Sequence, residues 1–286
     1  MMTADTDLDT VRDSDMMTMQ PRWTSGEVSD GSVSFRLASW SQIFDFLETV
    51  VFTQPGRNRR YVWRGQRRDD WSLSSSLDRL LEALGLLGGN PEAVEGASRE
   101  HLRAFQLAAR GRRGSNPQVM SAESDWWALG QHYGLATPLL DWTRSPFAAA
   151  YFAFEEASAG TDFRVVYGLD QVAVLQKSAE LADGPSLERG RPPVVEFFDP
   201  MSDENQRVVS QGGLFTRAPI GTPIERWVAE SFEGSAVPVL LRIKIPDRDR
   251  LACLRGLDRM NINHLSLFPD LGGASRYVNL KLELDR

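Results

Sequence analysis

Three groups of polar residues in this 286-residue chain stand beside glycine or aromatic neighbours in otherwise apolar stretches, the make-up of a binding pocket. The first is Trp63-Arg64-Gly65-Gln66. An arginine closing an apolar strand can fork onto a phosphate or carboxylate, and the glycine after it lets a ligand approach the backbone. A structural arginine paired with a core carboxylate is the plainer alternative. The second group is the densest: Gln131-His132-Tyr133-Gly134, then Leu139-Leu140-Asp141-Trp142-Thr143-Arg144-Ser145-Pro146. Any of Asp141, Thr143 and Ser145 can cap a helix starting at Pro146, and the free N–H groups of that start would suit an anion. His132 is either a base, since histidine titrates near neutral pH, or a buried support for the loop. The third group, Asn205-Gln206-Arg207 with Gln211 to Thr216, is an amide-rich turn entering a strand, which turn chemistry alone can explain.

Charge and composition narrow the classes. With 42% hydrophobic and 25% charged residues the chain is neither a disordered polymer nor a membrane-embedded protein. No apolar run nears the ~20 residues of a membrane span. The net charge of −7 sits mostly in residues 1–30, whose seven acids and two bases leave the rest nearly neutral. Arg57, Arg59, Arg60, Arg64, Arg67 and Arg68 crowd into twelve positions, as a solvated edge or an anion site. Cys253 alone makes neither a disulfide nor a cysteine zinc site, and His101, His132 and His264 show no local ligand pattern, so no metal is expected. The acidic start lacks the basic and apolar regions of an export signal, which predicts cytoplasmic residence.

These groups need elements to carry them. The polar, aperiodic beginning predicts a disordered acidic tail over residues 1–32, followed by one domain over 33–286. Helical spacing marks 40–51 behind a Ser39 cap, then 76–87, 91–110, 125–133 and 146–159, the last with proline in its first turn. Residues 61–64 and 137–142 read as short strands. Beyond them VVYGL, VAVLQ, VVEFF, GLFTRAPI, VPVLLRIKIP and VNLKLEL are strand-like, interrupted by helices near 225–232 and 247–260. A helical first half and a strand-rich second half predict an α+β fold rather than a doubly wound parallel sheet. There is no internal repeat and no glycine-rich phosphate loop.

Together, Tyr61-Val62-Trp63-Arg64-Gly65-Gln66, Gln131-His132-Tyr133-Gly134, Leu139-Leu140-Asp141-Trp142-Thr143 with Ser145-Pro146, Asn205-Gln206-Arg207 with Gln211 and Gly213, and Leu267-Phe268-Pro269-Asp270-Leu271 resemble the FRG-domain family over about residues 33–284. Ala136-Thr137-Pro138 departs from the Pro-Thr-Arg usual there. The family's layout is similar in turn to ADP-ribosyltransferases of the arginine-serine-glutamate type. Those open with Arg-Gly on an early strand and continue with a Ser-Thr-Ser strand into an apolar helix, much as Thr143-Arg144-Ser145 leads into Phe147–Phe154 here.

The resemblance implies one ADP-ribosyltransferase-like domain with NAD as substrate and no metal. Arg64, Gly65, Gln131, Thr143, Ser145 and Arg207 would bind NAD, and Asp141, His132 and Gln211 would carry the chemistry. No glutamate sits at Gln211. An amide can orient a ribose but stabilises less positive charge than a carboxylate, so the acid role passes to Asp141. The resemblance further implies a toxin or phage-defence effector with RNA or another macromolecule as acceptor, an antitoxin or immunity partner, and no membrane. Two rival readings use the same residues: a non-catalytic sensor of a nucleotide or ADP-ribose, and a metal-independent nuclease built on His132 and Asp141. Asp270 is expected to be structural.

Overall fold

Among the described residues eight short strands find one another: β1 Trp23–Ser25, β2 Ser32–Leu37, β3 Tyr61–Gln66, β4 Leu139–Thr143, β5 Phe163–Asp170, β6 Glu196–Phe198, β7 Gly213–Arg217 and β8 Leu240–Pro246. They form one sheet in the order β1-β2-β8-β5-β3-β4-β7-β6. This computed structural model describes residues 23–53, 60–114, 117, 119–183, 193–199 and 210–286. Only β2 and β8 run parallel among these pairings, and the rest are antiparallel. The β3–β4 junction is unlike its neighbours. It rests on the single register pair Trp63↔Thr143, whereas β3 and β5 pair over six positions. This seam divides the sheet into a five-strand part and a three-strand part.

Helices cover both faces. α1 Ile43–Phe46, with a 3-10 turn before it and a π turn after it, α5 Pro146–Phe154 and α8 Arg250–Arg259 pack on the side of Trp63, Val166 and Ile243. α6 Gln171–Ala182 and α7 Ile224–Ser231 cover the other side, where Val62, Leu140, Trp142 and Leu169 point. α2 Ser76–Ala83, α3 Pro91–Ala108 and α4 Glu123–His132 gather around Leu139 and Phe215, at the wide end of the seam. The short α9 His264–Leu267 and the long α10 Leu271–Leu284 finish the fold.

α5 shows how sequence builds the core. Ser145 caps it, Pro146 opens it, and its alanines let the helix lie close to the sheet. It ends earlier than the 146–159 pattern predicts. Arg164, fully buried, donates to Ala153 O at 2.9 Å, and Arg250 donates to Phe154 O at 3.0 Å, so two guanidiniums satisfy its last carbonyls.

The mixed α+β class fits, but its predicted division does not. Half the strands lie before residue 144, and α6 to α10 follow it. VAVLQ lies in α6, where Asp170 caps the first turn through Ala173 N at 3.0 Å. VNLKLEL lies in α10, which Asp270 caps through Gly273 N at 2.8 Å, the structural role expected of it. Both segments are short apolar runs that fit either period, and the preceding Asx residue decides for a helix. Trp23–Ser25 pairs with Phe35–Leu37, so sheet structure begins inside the segment read as a tail. Residues 1–22 lie outside the described residues.

Candidate functional site

β3 alternates across the sheet. Trp63 and Gly65 face α5, so Arg64 leaves from the opposite side together with Val62 and Gln66. The packing of α5 alone requires glycine at position 65. A Cβ at this position would lie 1.9 Å from Ala149 O and 2.7 Å from Ala153 N, so the backbone that approaches Gly65 is that of α5.

Arg64 reaches into the seam. Its Nη1 donates to Asp141 O at 2.8 Å and lies 3.8 Å from Asp141 Oδ2. The guanidinium keeps 22% exposure while the carboxylate side chain is 65% exposed. Arg64 Nε is buried and has no hydrogen-bond partner. Burial holds the guanidinium's pKa below its usual value. Asp141 opposes that shift and Arg79 adds to it.

Asp141 is steered from α4. Gln131 Nε2 donates to Asp141 Oδ1 at 2.7 Å, and Gln131 Oε1 accepts from the Thr137 hydroxyl. Thr137 is itself fixed to α2, receiving Ser76 Oγ and Leu77 N on its carbonyl at 3.2 and 3.0 Å. Gln131 is thus bonded at both polar ends, and it orients the carboxylate. Thr137 stands in the stretch that departs from the family pattern.

Other expected site residues are spent on structure. Thr143, 3% exposed, donates its hydroxyl to Gln211 O at 2.6 Å and accepts from Ser145 N at 3.1 Å. Ser145 Oγ accepts from Ala148 N at 3.2 Å as the cap of α5. Ser145→Ala is therefore expected to cost about 1 kcal/mol in urea unfolding while ligand binding holds; lost binding at unchanged stability would restore Ser145 to the pocket.

Gln211 is held from α9. Its Nε2 donates to Leu267 O in α9 at 3.3 Å, on the α5 side, where Phe152 and Phe268 also meet. Thr143, paired with Trp63, and Asp141 two residues before it take this same side of β4, and Arg64 reaches that carboxylate across the seam. His132 follows Gln131 on α4, so it points about 100° around the helix from the residue aimed at Asp141. Its ring meets Tyr133 edge-on at 4.9 Å. Arg207, Asn205 and Gln206 lie outside the described residues.

Residues 59–162 match the family model of the FRG domain. The match supports the FRG-domain family, and it spans Arg64, Gln131, Asp141, Thr143 and Ser145. No curated protein and no solved structure matches the chain. Gln211, α9 and α10 lie beyond the FRG match. Among the described residues no group of three or more His, Cys, Asp or Glu could hold a metal ion, and no helix is long and apolar enough to cross a membrane.

A second polar cluster escaped the sequence reading. At the end of the FRG match, Tyr151 OH lies 2.8 Å from His264 Nδ1, with Glu155 Oε2 3.5 Å from the same nitrogen. These three border a cavity of about 230 Å³ roofed by Arg276, Asn279 and Glu283 of α10. Burial raises the Glu155 carboxyl to about 7, against Arg276 and Arg67, and pushes the Tyr151 phenol up as well. Tyr151 and Glu155 look like helix filler in FAAAYFAFEE, and only the fold brings His264 to them. Arg79 is equally silent in the sequence, one exposed arginine on an amphipathic helix.

Proposed function

We propose that the seam between β3 and β4 binds NAD and that the chain transfers ADP-ribose from it to a macromolecular acceptor. The observation that carries this reading is the pairing of a largely enclosed guanidinium with an exposed, amide-steered carboxylate where two strands part: Arg64 against Asp141, held by Gln131. The orphaned Arg64 Nε is consistent with a missing anionic partner. Arg64 would take a phosphate oxygen through its fork.

Breaking the bond between ribose C1′ and nicotinamide leaves positive charge on the ribose, and the electron pair departs with neutral nicotinamide. Asp141 would stabilise that charge, and the Gln131 bond keeps its second oxygen turned to the seam. The acceptor then forms the new bond at C1′ and gives up a proton. His132, at the exposed end of α4, is the candidate to receive it. On this reading the chain is a toxin or phage-defence effector with RNA or a protein as acceptor.

A second reading, a non-catalytic sensor of ADP-ribose or a nucleotide, is favoured by Gln211, whose carbonyl and amide are both tied into the scaffold. Incubation with nicotinamide-labelled NAD separates the two: release supports transfer, and saturable binding without release supports sensing. Asp141→Asn is expected to cut release about 100-fold with little change in ADP-ribose affinity. Full turnover by this variant would remove Asp141 from the chemistry.

A further inference from the structure

Thr137, two residues before β4, is fully buried. Both of its main-chain groups are pinned to the start of α2: its N–H donates to Ser76 Oγ at 2.9 Å, and its carbonyl accepts from Leu77 N at 3.0 Å. Its hydroxyl works in two directions. The oxygen accepts from Leu139 N, the first residue of β4, at 3.4 Å, and the proton goes to Gln131 Oε1 at the end of α4. Gln131 carries the series on through Nε2, which donates to Asp141 Oδ1 at 2.7 Å. The hydrogen bonds thus leave β4 at Leu139 and return to it at Asp141.

The direction of this relay follows from which atoms own protons. A backbone N–H can only donate, and a hydroxyl has one proton to give. A turn closed by the bond from Leu139 N needs the Thr137 oxygen alone, so the proton is surplus to it, and the fold spends that proton on Gln131. The Gln131 amide must then answer with its oxygen and present its NH2 to Asp141. The reverse setting would place the amide oxygen 2.7 Å from a carboxylate oxygen, two acceptors with no proton between them. Without the hydroxyl, nothing holds the amide in this setting, and Asp141 Oδ1 loses its fixed donor.

We propose that Thr137 is the positioning residue of the seam: its hydroxyl sets the Gln131 amide, and the amide holds the Asp141 carboxylate so that Oδ2 stays on the side of Arg64, 3.8 Å from Nη1. Thr137 acts only through Gln131. That Asp141 serves a bound ribose rests on the reading above, whereas the relay exists with or without turnover.

Side-chain amide NMR of the full chain, labelled with 15N at glutamine, tests the relay with no ligand present. The Gln131 NH2 signals, assigned by their loss in Gln131→Ala, should exchange with solvent about tenfold more slowly than those of exposed glutamines and should shift on Asp141→Ala. In Thr137→Val the slow exchange should be lost and Asp141→Ala should no longer move the signals, while Thr137→Ser, which keeps the hydroxyl, should behave as the native chain. Should the valine variant not fold, Thr137→Ala makes the same removal without setting a methyl against the Gln131 oxygen, and the same readings are expected of it. Where nicotinamide is released, kcat should fall about tenfold without the hydroxyl, with KM for NAD unchanged, and return in Thr137→Ser. Gln131 signals that ignore Asp141→Ala in the native chain, or that ignore removal of the hydroxyl, overturn the proposal, as does native kcat in a variant whose Gln131 signals have changed. Signals that follow Thr137 in a chain that never releases nicotinamide uphold the relay and remove the transferase reading. Nicotinamide release with signals indifferent to Thr137 removes the relay and leaves the transferase.

Discussion

Gly65→Ala is expected to lower stability by at least about 3 kcal/mol, the upper end of overpacking costs. The added methyl would sit 1.9 Å from Ala149 O, and the obstacle is main chain, which no rotamer change can move. α5 would have to lift off β3, and it carries Ala149, Ala150 and Ala153, all fully buried against that sheet. Denaturant unfolding measures the loss. If glycine served a ligand instead, the alanine variant would unfold like the native chain and fail only in binding, and that result would reverse the assignment made from α5.

Glu155→Gln is expected to change how stability depends on pH. The Glu155 carboxyl is raised in the folded chain, from its ordinary 4.5 to about 7, chiefly by burial. A group held above its unfolded value contributes stability that is complete below the unfolded pKa and is lost as pH rises through the folded one. The native chain should therefore lose up to about 3 kcal/mol from this residue between about pH 4.5 and 7. A glutamine there has no charge to bury, so the two chains should match near pH 4 and the variant should be the more stable at pH 8. Unfolding midpoints across that range read the difference. A gap that stays constant with pH would mean that Glu155 does not titrate in this window.

Some of this was legible in the sequence. The polar residues of the second group bond to one another, as Gln131 to Asp141 and Thr143 to Ser145, because they flank a strand and a helix start that the apolar pattern locates. Their division of labour was not legible, since a hydroxyl that caps and one that binds look alike until the N–H of Ala148 is placed. The pleat was the harder loss: which side of β3 a residue takes depends on where α5 lands. VAVLQ and VNLKLEL mislead for a related reason. Only Val174 of the first is fully buried, while Val278 and Leu282 of the second are exposed, so β-branched and leucine content overstated both as strands.

The parallel pairing of β2 with β8 bears on the order in which the fold can assemble. The two strands are neighbours in the sheet but about 200 residues apart along the chain. During synthesis β1 and β2 emerge early and must wait with one edge unpaired until nearly everything else has been made, while β3 and β5 can pair much sooner. Closing so long a loop late makes for a slow final step and exposes strand edges meanwhile. A nascent chain of this kind gains from a holding chaperone more than its final, well-packed sheet would suggest.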